Sequence, residues 1–219
     1  MSDLVGYSSI ALVCLITLII ALYRPSISSI IFTALAVRLF VLFLGHYYVT
    51  LPDSSADANA FDQYAWLFAK DGFSTYLSYY PGQNPHFLSW LIGFLYLLFG
   101  QSKLMAQSIS LLFGLGTVFL GWNLAKIIWD NRVAKKVAWI LALFPSLVLY
   151  SVLFLREIYI IFFLLVALYG VFTWVKTYNL KSFFLALFGF GVATFFHGAM
   201  IIGAITFVII SGIISFKKI

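Results

Sequence analysis

The sequence predicts an all-α, polytopic membrane helix bundle of about seven crossings, with a long outer loop that carries short amphipathic helices. Three observations predict it. Hydrophobic residues make up 63% of the 219 and charged residues 9%, where an ordinary soluble domain is about 25% charged. Mean hydropathy is +1.06. Several apolar runs also reach the roughly 17–25 residues that a helix needs to cross a bilayer. In such a chain a net charge of +6 reports topology rather than nucleic-acid binding.

Taken in order, the apolar runs fall at about 5–23, 27–49, 103–125, 137–154, 158–175, 182–196 and 199–216, with a shorter one at 86–99. The first is no cleavable signal peptide: Asp3 stands where a basic n-region belongs, and Arg24-Pro25-Ser26 is a poor cleavage site. Cys14 is the single cysteine, so no intrachain disulfide forms. Pro25 ends the first run, because proline disfavours helix in the residue before it.

The run at 86–99 decides the topology. As a helix it is roughly 21 Å long, short of the ~30 Å hydrocarbon core, so it is expected to lie at the outer surface. Then Arg24, Lys126, Arg132, Lys135, Lys136, Lys176, Lys181, Lys217 and Lys218 share one side, nine of the 13 basic residues. The positive-inside rule makes that side cytoplasmic. Asp3, Asp53, Asp57, Asp62, Asp71 and Glu157 fall outside, and Asp130 inside.

In the outer loop, "LPDSSADANAFDQYAWLFAKDGF" reads as a short helix. Ser54 and Asp57 have capping-box spacing, and Gly72 is a natural stop. Asp57, Phe61, Tyr64 and Phe68 follow steps of four, three and four and share one face. Asp57 is thus expected on the buried side of an amphipathic helix, as a helix cap or an essential carboxylate that the helix dipole keeps ionised. Asp62, on another face, reads as a solvated charge and as the second candidate. His86 and His197 are candidate ligand contacts; each also reads as an interfacial histidine.

"SVLFLREIYIIFF" holds Arg156 and the only glutamate, Glu157. Ionisable groups at membrane depth raise a functional hypothesis by default. Helix neighbours at i and i+1 do not face each other, so each is expected to need its own partner. Arg38 is one candidate for Glu157, in an interhelical ion pair. Pro145 breaks the helix upstream and makes 145–157 an irregular outer turn beside the loop of Asp57.

The ordered features "ADANAFDQYAWLFAKDG", "LLFGQS", a basic inner loop and "ALFPSLVLYSVLFLREI" resemble the GT-C superfamily of membrane glycosyltransferases over roughly residues 30–175. The likeness is to bacterial members related to protein O-mannosyltransferases and aminoarabinose transferases. It implies transfer of a sugar from a polyprenyl-phosphate-linked donor to a glycan, lipid or protein acceptor, on the outer face of a bacterial plasma membrane. Asp57 best matches the family's essential acid and implies a catalytic base. Arg156 implies a contact to donor phosphate, with Glu157 orienting it or the acceptor. Asp62, Tyr64, His86 and His197 complete the candidate substrate contacts. The polyprenyl tail is expected between 27–49 and 137–175. Where oligosaccharyltransferase subunits carry an acidic metal-binding motif, this chain has one acid, so use of a divalent cation stays open. A non-catalytic polyprenyl-glycan-binding subunit, a flippase-like component and a polysaccharide polymerase are the alternative classes.

The expected organisation is one transmembrane domain: an extra N-terminal helix over 1–26, a GT-C-like core over 27–176 with its outer loop at 50–102, and a C-terminal helix pair over 177–219. With about seven crossings, fewer than is usual in that family, the chain reads as its N-terminal transmembrane part.

Overall fold

The computed structural model describes residues 2–216, in which all regular structure is helical. The eleven α-helices are α1 (Ser2–Tyr23), α2 (Ser28–Tyr47), α3 (Asp57–Ala69), α4 (Phe73–Ser78), α5 (Phe87–Phe99), α6 (Lys103–Ile128), α7 (Asn131–Leu143), α8 (Pro145–Tyr150), α9 (Glu157–Thr177), α10 (Leu180–Phe196) and α11 (Ile201–Phe216). Four segments are long and apolar enough to cross a membrane: Asp3–Tyr23, Pro25–Tyr47, Lys103–Ile128 and Glu157–Thr177. α5, α10 and α11 are apolar but shorter.

The expected run at 137–154 is not one helix. It divides into α7, α8 and a non-helical segment from Ser151 to Arg156. Pro145 has no N–H for the turn before it, which leaves carbonyls at the end of α7 without their usual donors. Arg38 supplies them. Its Nη1 donates to Ala142 O at 2.7 Å and its Nη2 to Leu141 O at 3.2 Å. Arg38 is 1% exposed, so these bonds are made inside protein, away from lipid. Arg38 is therefore committed to a helix break and forms no ion pair with Glu157.

α6 is the central helix, with α1, α2, α7 and α9 packed around it. Its glycines let neighbours approach: a Cβ on Gly114 would sit 2.2 Å from Ser151 Cβ. α9 and α10 pack through small residues. A Cβ on Gly170 would lie 2.5 Å from Ala186 N, and one on Gly189 would lie 2.4 Å from Ala167 N. Small residues at such crossings let backbones meet, the usual way membrane helices gain packing energy.

Charge divides the molecule into two ends. Lys126, Arg132, Lys135, Lys136, Lys176 and Lys181 flank the ends of α6, α7, α9 and α10 that lie together, and Lys176 Nζ donates to Ile127 O. Arg24 joins them: Ile27, Ile30 and Ile31, just after it, pack in one core with Trp122, Ala125, Ala134 and Ala138. Lys217 and Lys218 lie outside the described residues. The opposite end carries α3, α4 and α5. There α5 lies across the bundle. Its first residue, Phe87, meets Phe195 and Phe196 of α10, and Leu95 and Phe99 near its other end face α1 and α6.

Candidate active site

α3 approaches α5 most closely through its alanines. Ala58, Ala65 and Ala69 are buried together with Phe61 and Phe68. A Cβ on Gly93 would come within 2.9 Å of Ala65 O, and Ser89 Oγ donates to Phe61 O at 2.9 Å. This contact turns the helix relative to the face expected from sequence. Asp57 is the first residue of α3 and is exposed, with no hydrogen bond or ion pair among the described residues. The Ser54 capping box does not form either: the N-cap is Ala56, and Ser54 Oγ donates to Leu51 O instead.

Asp62 is the acid that the fold engages. Tyr96 Oη donates to its Oδ1 at 2.5 Å and Gln101 Nε2 to its Oδ2 at 3.1 Å. It is half-buried rather than a solvated charge. Tyr64 is exposed and meets His86 in a tilted contact, with ring centroids 4.0 Å apart and planes at 43°. The His86 ring also meets Phe61, at 5.8 Å. Its Nδ1 is buried without a partner among the described residues. Burial lowers the His86 pKa below the ordinary histidine value, and the positive charge of Arg156 lowers it further.

Arg156 is the N-cap residue of α9, and Glu157 opens the helix. Arg156 itself has helical φ and ψ of −76° and −17°, so its side chain reaches Glu157 along the helix surface rather than across a break. Its Nε stands 3.9 Å from Glu157 Oε1, so the two charges partly compensate each other, contrary to expectation. Glu157 Oε2 is buried with no hydrogen-bond partner among the described residues. Segment 151–155 leading into this pair is fully buried. Gln107 Nε2 donates to Val152 O at 3.0 Å, which satisfies irregular backbone from a neighbouring helix.

Two tethers bring the first loop to this segment. Tyr150 Oη donates to Asp53 Oδ2 at 3.2 Å, and the Phe61 and Phe154 rings lie 6.1 Å apart. Asp57 lies in the chain between Asp53 and Phe61, and only Leu155 separates Phe154 from Arg156-Glu157. His197 is exposed at the end of α10, next to Phe196. Phe196 stacks on Tyr159 of the first turns of α9, centroids 5.5 Å apart. His197 thus shares the end of the molecule with Arg156.

An apolar cavity of about 350 Å³ runs down from this region between α5, α6, α9 and α10, lined by Phe87, Phe113, Tyr159, Phe163 and Phe196 among others. A second apolar groove, of about 520 Å³, lies between α1, α5 and α6. The first is lined in part by Tyr159 and Phe163 of the expected 137–175 region, and neither is lined by residues 27–49.

A polar centre beside the first-loop helix was not anticipated. His46 and Lys103 both line three adjoining cavities of about 400, 130 and 270 Å³. Lys103 Nζ donates to Asn59 Oδ1 at 2.8 Å. His46 Nδ1 and Gln107 Oε1 are 3.2 Å apart. A carboxamide oxygen only accepts, so His46 carries its proton on Nδ1. One signal was available in the sequence: Lys103 opens a membrane helix at the acidic end, against the general placement of basic residues.

Among the described residues, no three His, Cys, Asp or Glu side chains come together in a metal-binding group. Glu157 has a cation beside it. That donor set does not suit a divalent ion, which prefers several oxygen ligands.

No curated protein and no solved structure matches the chain. Residues 83–218, more than half of it, match the family model described as dolichyl-phosphate-mannose-protein mannosyltransferase. The matched region holds His86, Arg156, Glu157 and His197 with the helices that carry them, and the chain belongs to that family of membrane glycosyltransferases.

Proposed function

We propose that the protein transfers a sugar from a polyprenyl-phosphate-linked donor to an acceptor at the extracytoplasmic face, within the transferase chemistry of its family. The observation that carries this reading is the pairing of two elements at one end of the bundle. Arg156-Glu157 opens α9, and the loop with Asp57 is tied to the segment just before it through Asp53–Tyr150 and Phe61–Phe154.

In this reading the donor phosphate rests against Arg156, whose planar guanidinium suits phosphate oxygens. The donor's tail enters the cavity of Phe87, Tyr159 and Phe163. Asp57 takes the proton of the acceptor hydroxyl as its oxygen bonds to the anomeric carbon. The bond from that carbon to the phosphate oxygen breaks, and its electron pair leaves on the lipid phosphate, where Arg156 stabilises the charge. Glu157 holds Arg156 in place. His86, Tyr64 and His197 border the acceptor side, with His86 neutral at pH 7.

Asp57→Asn is expected to lower turnover by about 10²–10⁴-fold while donor binding is kept. Arg156→Ala is expected to weaken donor binding and turnover together. Transfer of radiolabelled sugar from a polyprenyl-phosphate donor, with donor binding measured in parallel, tests both. A merely structural Asp57 would cost only ~0.3–1 kcal/mol of stability through the helix dipole and leave turnover intact. Turnover surviving both substitutions overturns the reading.

A further inference from the structure

We infer that the polar centre at Lys103 and Asp62, with the groove between α1, α5 and α6, is a seat for a zwitterionic phospholipid with a primary ammonium head, such as phosphatidylethanolamine. This seat is distinct from the transfer site and does not depend on it.

The charge pattern carries the inference. One cavity of about 270 Å³ is lined by Lys103 together with Asp62 and Asp3. A purely anionic head would gain Lys103 and meet the carboxylate of Asp62. A head with phosphate and ammonium a few bonds apart matches both signs. Lys103 Nζ has a neutral partner, Asn59 Oδ1, and its ammonium has three donors, so two remain for phosphate. Lys103 also stands in the first turn of α6, where the helix dipole favours an anion. Asp62 accepts from Tyr96 and Gln101. Both donors are neutral, so its negative charge stays available to an ammonium.

The groove continues from this cavity without a gap in sequence: Asp3 is followed by Leu4, and Leu104 by Met105, which line one site and then the next. It holds about 520 Å³ and follows α1 from Leu4 to Ile16, roughly 18 Å of helix. Ser9 and Ser108 line it, yet their hydroxyls donate to Val5 O and Met105 O of their own helices. Ser8 is the one other hydroxyl in the lining, and the remaining wall is apolar. One chain fills it, and the second remains in the bilayer.

The test is lipid retention by the full-length chain in native mass spectrometry. The protein is delipidated in detergent and offered phosphatidylethanolamine, phosphatidylcholine or phosphatidylglycerol. One phosphatidylethanolamine is expected to be retained about tenfold more tightly than either other lipid, the effect of one lost charged hydrogen bond. Asp62→Asn should remove that preference, and Lys103→Gln should weaken retention of all three lipids. Ser9→Trp, which plugs the groove without touching the head site, should remove retention with helicity unchanged. Lys70→Gln, at an exposed lysine of the same end, should leave it intact. Equal retention of all three lipids, a preference that survives Asp62→Asn, or retention that survives Lys103→Gln and Ser9→Trp, overturns the proposal.

Discussion

Arg38 shows how one residue can set the depth and shape of a membrane helix. Its guanidinium caps Leu141 O and Ala142 O beside Pro145, buried at 1% exposure. Each orphaned buried acceptor costs about 1–3 kcal/mol. Arg38→Leu is therefore expected to destabilise the protein by roughly 2–5 kcal/mol, read from the unfolding midpoint in detergent. Arg38→Lys, with its single ammonium in place of a fork, should recover only part. His86 offers a second residue-level test. Burial and Arg156 lower its pKa, so the folded protein binds that proton less readily than the unfolded chain. Its contribution holds above about 6.5, the ordinary histidine value. Stability then falls as pH drops below that value. Arg156→Ala removes the second cause and should raise the His86 pKa, followed by imidazole NMR; an unchanged titration would mean the two groups are not coupled.

Among the elements, α3 shows where a face read from sequence misleads. The expected stripe ran through Asp57, Phe61, Tyr64 and Phe68. The observed one runs through Ala58, Phe61, Ala65, Phe68 and Ala69, about one residue around the helix. Close approach to Gly93 selects small residues for the contact, and that approach depends on α5, which no local pattern encodes. The rotation exposes Asp57 and engages Asp62. The α9–α10 pair makes the same point in its own right. Gly170 and Gly189 meet backbone atoms at 2.5 and 2.4 Å from a hypothetical Cβ. Gly170→Leu is expected to push the helices apart and cost more than the ~1–3 kcal/mol typical of overpacking, because backbone cannot move aside as a side chain can. A thermal midpoint within a degree or two of the native protein would contradict that contact.

For the whole molecule, the separation of charge was legible from composition and spacing. A basic end and an acidic end follow from where lysines and acids stand between apolar runs, and each run is locally helical whatever its neighbours do. Seven apolar stretches could also be counted, although among the described residues four helices reach spanning length and one stretch is broken at Pro145. The meeting of Asp53 with Tyr150, of Phe61 with Phe154 and of Lys103 with Asn59 could not be read. Each joins residues 44 to 97 positions apart, and nothing in one helix specifies the side chain that another presents to it.

The sequence by itself determined a helical membrane protein with its acids at one end, the break at Pro145 and the resemblance to lipid-linked-sugar transferases. These rest on hydrophobic run length, proline geometry and residue order, which are local. Only the tertiary structure decided that Arg38 serves the helix break rather than Glu157. It likewise decided that Arg156 and Glu157 lie beside one another, and that Asp62 rather than Asp57 is held by hydrogen bonds. Those outcomes depend on which helix faces pack together. A buried charge takes the partner that packing brings within hydrogen-bond reach, because at that depth no water can serve instead.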